Sequence, residues 1–215
     1  MVARLGPGAL MAKFDVEAAY RNIAIHPDDR FLLGMKWREQ YYVDLTLPFG
    51  LRSALFIFNS VADMVEWILL RRHQVSDLLH YLDDFITAGP PQSPQCAYNL
   101  NTALAVCKRL GLPLHLNKCV GPASSLSVLG IELDSVEQLV HLSEEKLLAL
   151  KELIDSWLLR TCCKKRDLES LAICTMRLKS CGPAEPLSVG SLICCAVLRH
   201  RDHPIRINRE FRQDL

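Results

Sequence analysis

Asp83 and Asp84 are adjacent carboxylates set between two largely apolar runs, Leu78-Leu79-His80-Tyr81-Leu82 and Phe85-Ile86-Thr87-Ala88. Neighbouring acids in such a setting repel one another and resist desolvation, so either their pKa values rise or a cation neutralises them. Mg²⁺, held by one or two carboxylates together with substrate phosphates, is the usual partner. An acidic hairpin turn is the plain structural alternative. A third acid, Asp15, follows the apolar run Met11-Ala12-Lys13-Phe14 and precedes Glu17-Ala18-Ala19-Tyr20, which reads as a helix start. If the strand ending at Asp15 pairs beside the Asp83 hairpin, one carboxylate from each converges on two metal ions about 3.5 to 4 Å apart, the spacing used for in-line phosphoryl displacement. Nucleotidyl transfer is then the expected chemistry.

The elements that must position these acids are legible around them. Residues 56–71 carry Val61, Met64, Val65, Ile68 and Leu69 at helical spacing and end in the basic pair Arg71-Arg72, predicting an amphipathic helix across a sheet. Residues 78–80 and 85–88 form the hairpin, which stops at Gly89-Pro90-Pro91. Residues 96–110 predict a second helix, with Ala97, Leu100, Ala103, Leu104 and Cys107 inward and Gly111 as its C-terminal stop. Strands over residues 41–46 and 126–133 are expected to complete the sheet, giving an α+β fold with an antiparallel sheet and helices on one face. After Leu142 the pattern predicts helices only. Ser143 caps one with Glu144 and Glu145 in its first turn and a stripe of Leu147, Leu148, Leu150, Leu153, Ile154 and Trp157, and a second spans residues 166–179.

With these motifs in order, the chain resembles a reverse transcriptase, most closely those of DIRS-like, tyrosine-recombinase retrotransposons. Lys13-Phe14-Asp15-Val16 with Ala19-Tyr20-Arg21 resembles the first catalytic motif, followed by His26-Pro27-Asp28-Asp29 and Leu33-Gly34 with Lys36-Trp37. Leu47-Pro48-Phe49-Gly50-Leu51-Arg52-Ser53-Ala54 resembles the motif bordering nucleotide and template, and Tyr81-Leu82-Asp83-Asp84 the metal-binding hairpin. Gly111-Leu112-Pro113-Leu114 with Lys118 resembles the lysine-bearing motif, and Leu129-Gly130-Ile131-Glu132-Leu133-Asp134-Ser135 the primer-gripping hairpin. The resemblance is dense from about Leu5 to Ser135 and thinner beyond.

The resemblance implies a ferredoxin-like polymerase palm with partial fingers over 1–141, a helical thumb or connection over 142–203, and the start of a linker toward a ribonuclease H domain over 204–215. It implies that Asp15, Asp83 and Asp84 hold two Mg²⁺ ions, with Mn²⁺ as a substitute, and that Lys118 protonates or neutralises the leaving pyrophosphate. Tyr20 would be the steric gate against ribonucleotides, Phe49 and Gly50 would line the nucleotide pocket, and Arg52, Tyr81, Leu129 and Gly130 would meet template and primer. Each has a plainer reading: Tyr20 as a core tyrosine, Lys118 as a solvated lysine, Arg52 as a surface arginine. The implied partners are an RNA or DNA template with its primer and dNTPs; no protein partner can be inferred. Lys164, Lys165, Arg166, Arg177 and Lys179 would meet phosphates or form a solvated helical face.

Composition sets limits. At 215 residues, half of them hydrophobic, the chain can bury a core or two lobes, and its formal charge of +1 requires any phosphate-binding surface to be local. Nine cysteines without a Cys-x-x-Cys spacing and without a signal peptide predict reduced thiols in an intracellular protein, nuclear or cytoplasmic, not secreted and not membrane-bound. Cys194 and Cys195 with His200 and His203 match no standard zinc spacing. Leu55 stands where the family usually has proline, and the expectation is of a fragment lacking most of the fingers and the ribonuclease H domain. Three functions fit: an RNA-directed DNA polymerase, an inactive retroelement remnant with weak nucleic-acid binding, and another two-metal palm enzyme such as a nucleotidyl cyclase. Tyr20, the Leu-Pro-Phe-Gly run and the Leu-Gly-Ile-Glu-Leu hairpin discriminate against the cyclase, which needs no sugar gate or primer grip.

Overall fold

Alternation along two short segments organises the centre of the protein. In the computed structural model, which describes residues 1–164, 166–168 and 171 and the backbone of 204–206, β1 (Leu10–Asp15) pairs antiparallel with β5 (Asp84–Gly89). Ala12 and Phe14 point to one face with Phe85, while Lys13, Asp15 and Asp84 point to the other, as the two-residue period of a strand requires. β5 pairs on its other edge with β4 (Leu78–Tyr81), and β6 (Val120–Ala123) covers the far edge of β1, giving the antiparallel order β4-β5-β1-β6.

Two helices cover the apolar face. α1 (Val2–Leu5) is a single turn; α2 (Ala54–Arg72) and α3 (Gln95–Leu110) are the packing helices. Their spans agree with the sequence pattern to within two residues, because basic residues close α2 and the left-handed Gly111 (φ 73°) closes α3, its N–H reaching the carbonyls of Cys107 and Lys108. Phe58, Ala62, Val65 and Leu69 of α2 and Cys96, Leu100, Ala103, Val106 and Cys107 of α3 enclose Phe14, Phe85 and Leu78. Each large side chain so buried contributes roughly 1.5–3 kcal/mol. The inward stripe of α2 differs from the expected one: Met64 is exposed and Val61 only half-buried, because the sheet selects the face carrying the small Ala62. Asn99 of α3 is completely buried, its Nδ2 donating to the carbonyls of Ser76 (2.8 Å) and Ala88 (3.1 Å) and lying 3.0 Å from Thr87 Oγ1. That network fastens α3 to the end of β5.

The remaining strands do not join this sheet. β2 (Gly34–Trp37) and β3 (Gln40–Val43) form a separate exposed hairpin. Its turn residues, Arg38 (φ 46°) and Glu39 (φ 63°), are left-handed, as a twist-matched two-residue hairpin demands. The expectation that residues 41–46 and 126–133 complete the central sheet is therefore corrected; local pairing captures the first and a separate three-stranded sheet the second. The central edge is filled by β6, where Gly121 (φ 111°) has no room for a side chain, since a Cβ would lie 2.5 Å from the Met11 carbonyl oxygen.

The described chain forms two compact units, the first comprising Met1–Leu126 with Ser135–Gln138 and the second Ser127–Asp134 with the described residues from Leu139 onward. β7 (Ser125–Val128), β8 (Ile131–Asp134) and β9 (Leu139–His141) make the three-stranded sheet. α4 (Glu144–Leu158) follows Ser143, whose side chain makes no capping hydrogen bond, and buries Leu150 and Trp157 while Leu147 and Leu148 stay exposed. β10 (Cys162–Lys164) pairs with β11 (Pro204–Arg206), so the helices-only expectation beyond Leu142 is corrected. Most of the helix expected over 166–179, with Arg177 and Lys179, lies outside the described residues, as do Lys165, Cys194, Cys195, His200 and His203. Among the described residues no helix is long and apolar enough to cross a membrane.

Candidate active site

The pairing of β1 with β5 that sets Phe14 opposite Phe85, rings stacked with centroids 4.8 Å apart, sets the next pair, Asp15 and Asp84, opposite each other on the face away from the helices. Asp83 occupies the two-residue turn between β4 and β5. Leu82 there is left-handed (φ 56°), an unusual conformation for a branched side chain. The turn is tied down by the Asp83 carbonyl, which accepts the Val16 N–H at 3.0 Å. The structure thus gathers all three predicted acids around one strand end.

Lys118 joins them. The Leu114 segment bridges to Val16 just past β1, the His115 N–H donates to the Asp15 carbonyl at 2.9 Å, and a 3₁₀ turn over Leu116–Lys118 follows. From that turn the Lys118 ammonium donates to Asp15 Oδ2 at 3.0 Å. Asp15 is buried, whereas Lys118 is half exposed. The hydrogen bond and charge of Asp15 raise the Lys118 pKa, helped by Asp84 and Asp83. Asp84 is also raised, first by burial and then by the charges of Asp15 and Asp83, with Lys13 and Lys118 opposing. Lys13 and Lys118, two positive charges, do not offset three clustered acids. An all-oxygen donor set with surplus negative charge fits a hard divalent cation such as Mg²⁺.

Tyr20 sits in a 3₁₀ turn (Ala19–Asn22) and not in the α-helix expected there, because Ala18 (φ 55°) breaks the chain path just before it. Its half-buried ring meets Phe49 edge-on at 5.2 Å and Phe58 at 5.6 Å. Phe49 is largely exposed, and Gly50 (φ 87°) makes the turn beside it; a Cβ there would meet open space, so backbone conformation selects the glycine. Arg52 and Tyr81, with Leu55, Phe56, Asn59, His80 and Leu82, line a cavity of about 410 Å³. Leu129 (φ 50°) and Gly130 (φ 84°) belong to the second unit, where they turn the chain from β7 to β8 and the Gly130 carbonyl accepts Lys146 Nζ at 2.9 Å.

Five described cysteines are free thiols: Cys96, Cys107, Cys119, Cys162 and Cys163. Burial pushes Cys96 and Cys107 up to about 11, which suppresses thiolate chemistry there. A cluster that sequence reasoning missed, Asp63, Glu66 and His80, lies on the helix side of β4. Its only signal was two acids three apart on a helix, a spacing equally typical of a solvated face.

The family described as "Reverse transcriptase (RNA-dependent DNA polymerase)" matches residues 2–133. Among curated proteins, Polyprotein P3 of Commelina yellow mottle virus is 27% identical over 171 residues, covering 74% of this chain and 8% of the viral protein. The genome polyprotein of Petunia vein clearing virus is 22% identical over 132 residues, 61% of this chain and 6% of that protein. This chain therefore spans less than a tenth of these relatives. Among solved structures, the foamy viral protease-reverse transcriptase in complex with RNA/DNA hybrid superposes with a TM-score of 0.69 at 14% identity, covering 95% of this chain and 26% of that one. The same protein with dsDNA gives 0.62 at 16% identity, covering 95% and 40%.

Proposed function

This chain belongs to the reverse transcriptase (RNA-dependent DNA polymerase) family, and on that premise we propose that it is the RNA-directed DNA polymerase module of a DIRS-like retroelement polyprotein whose parent also carries ribonuclease H. It would act inside the cell, extending a primer 3′-hydroxyl with dNTPs on an RNA or DNA template. The observation that carries this reading is the strand register that sets Asp15 opposite Asp84 beside the Asp83 turn, with Lys118 against Asp15.

Asp15 and Asp83 would hold two Mg²⁺ ions, with Mn²⁺ as a substitute and Asp84 supporting the second site. When bound, the ions supply charge neutralisation for the attacking and leaving oxygens of an in-line phosphoryl displacement. The protein's own part is positioning. The antiparallel pair fixes the separation of the carboxylates, and the Asp83 turn is held by Val16. Lys118 keeps its proton through the neutral range and would deliver it to the departing pyrophosphate. Tyr20, braced by Phe58 and Phe49, would close the space a ribose 2′-hydroxyl needs. Phe49 and Gly50 would border the nucleotide. Arg52 and Tyr81 would face template and primer from the cavity they line, and Leu129 and Gly130 would grip the primer. The nucleic acids named for the foamy viral complexes, an RNA/DNA hybrid and dsDNA, support a duplex partner.

The test is Mg²⁺-dependent dNTP incorporation on a primed RNA template, wild type against Asp83→Asn. Incorporation by wild type and none by the variant is expected, because the substitution removes charge and keeps side-chain shape. Equal incorporation by both sinks the assignment of Asp83, and none by either, with circular dichroism of a folded chain, establishes an inactive remnant.

A further inference from the structure

We infer that Asp63, Glu66 and His80 form a second metal site, selective for a borderline transition ion such as Zn²⁺ and separate from the acids of the polymerase site. Asp63 and Glu66 lie three residues apart on α2, so they share one face, and His80 is on β4 opposite Phe85. The alternation that turns Asp84 away from the helices turns His80 toward them. Its ring stacks on Phe85 at 5.2 Å and its side chain is only 7% exposed.

The two separations from His80 suit a tetrahedral ion. His80 Nε2 lies 3.1 Å from Asp63 Oδ1 and 3.3 Å from Glu66 Oε2, and one ligand atom from each residue falls within 4.8 Å of the others. Zinc bonds of about 2.0–2.2 Å at tetrahedral angles put neighbouring ligand atoms about 3.3 Å apart. The buried ring directs its polar contact into this cluster, since Nδ1 has no hydrogen-bond partner among the described residues. Nε2 can carry at most one hydrogen, yet two carboxylate oxygens crowd it, an arrangement that a cation among the three groups would satisfy. Asp63 is further oriented by Asn59 Nδ2, which donates to Oδ2 at 3.1 Å, in the way supporting residues hold metal ligands. Entry is open, because the Asp63 side chain is 61% exposed and Asn59 and His80 line the 410 Å³ cavity. A nitrogen ligand with two carboxylates favours zinc over Mg²⁺, which prefers an all-oxygen shell. Three protein ligands leave the fourth position to water. Bound there, the ion would clamp α2 to the strand that leads into Asp83.

The experiment titrates Co²⁺, then Zn²⁺, into the full chain, stripped of metal and kept reduced, with visible absorption as the readout. Expected is one equivalent of Co²⁺ with the intense visible bands of tetrahedral geometry, no sulfur charge-transfer band, and displacement by Zn²⁺. Affinity should fall at least about tenfold in Asp63→Asn and in Glu66→Gln, and stay unchanged in Asp83→Asn. Thermal melting gives a second readout: Zn²⁺ should raise the midpoint of wild type but not of Asp63→Asn, whose exposed position keeps it folded. The proposal is overturned by absence of the visible bands in folded wild type, by a sulfur charge-transfer band, by affinity that survives both carboxylate variants, or by affinity lost in Asp83→Asn.

Discussion

Asp84 shows how the site trades stability against chemistry. Its raised pKa means that the folded chain binds a proton there more readily than the unfolded chain does. Its contribution to stability is therefore complete below the ordinary carboxylate value of 3.8 and is lost as pH rises through the elevated folded value. At neutral pH the ionised group works against the fold. Asp84→Asn should stabilise the fold at pH 7 without divalent metal, by about 1 kcal/mol at most given solvent screening of a half-buried group, read as a raised thermal midpoint. The advantage should shrink as pH falls toward 3.8, and Mg²⁺ should stabilise wild type more than the variant; a lower midpoint for the variant would refute the account. Lys118 has the opposite chemistry and the same direction of shift. Its positive charge, the lysine's share of the pair with Asp15, is fully present below 10.5, the ordinary lysine value, and is lost as pH rises through the raised folded value. Lys118→Met should therefore lower single-turnover incorporation by about a hundredfold at neutral pH. A loss under threefold would return Lys118 to the role of a solvated lysine.

Among the elements, α3 and β5 hold the hairpin in place. Asn99→Leu would strip the Ser76 and Ala88 carbonyls of a buried donor and should destabilise the first unit by about 2–4 kcal/mol, measured by urea denaturation. Gly121→Ala should be destabilising as well, because its Cβ would strike β1 backbone and not a movable side chain. The sequence made α2, α3 and α4 visible through apolar spacing and terminal signals. It showed the Asp83 hairpin through apolar runs flanking two acids. It hid β6, whose Gly121-Pro122 pair reads as a breaker, and Asn99, because a polar residue in a core is explained only by partners distant in the chain. His80 was hidden likewise: its carboxylates lie 14 and 17 positions earlier, and only the packing of α2 on β4 brings them together. Asp15, Asp83, Asp84 and Lys118 were legible individually, but the meeting of Lys118 with Asp15 across 103 residues is tertiary structure.

For the whole molecule, a formal charge of +1 leaves little long-range attraction for nucleic acid. The proposed duplex binding would then rest on a few local phosphate contacts, and the logarithm of affinity should fall with that of salt at a slope between about −2 and −5. Fluorescence anisotropy between 50 and 200 mM salt tests this, and Arg52→Ala should flatten the slope by about 1; a salt-independent affinity would refute the phosphate contacts, and no affinity would exclude the duplex as a partner. The two-residue alternation of β1 carries a further consequence, one of parity. One residue inserted between Lys13 and Phe14, with Ala12 still in the core, would swing Phe14 outward and drive Asp15 under the helices. Two inserted residues would restore both. The strand should tolerate changes of even length far better than odd ones, so the acidic face has a reading frame of its own, counted in amino acids.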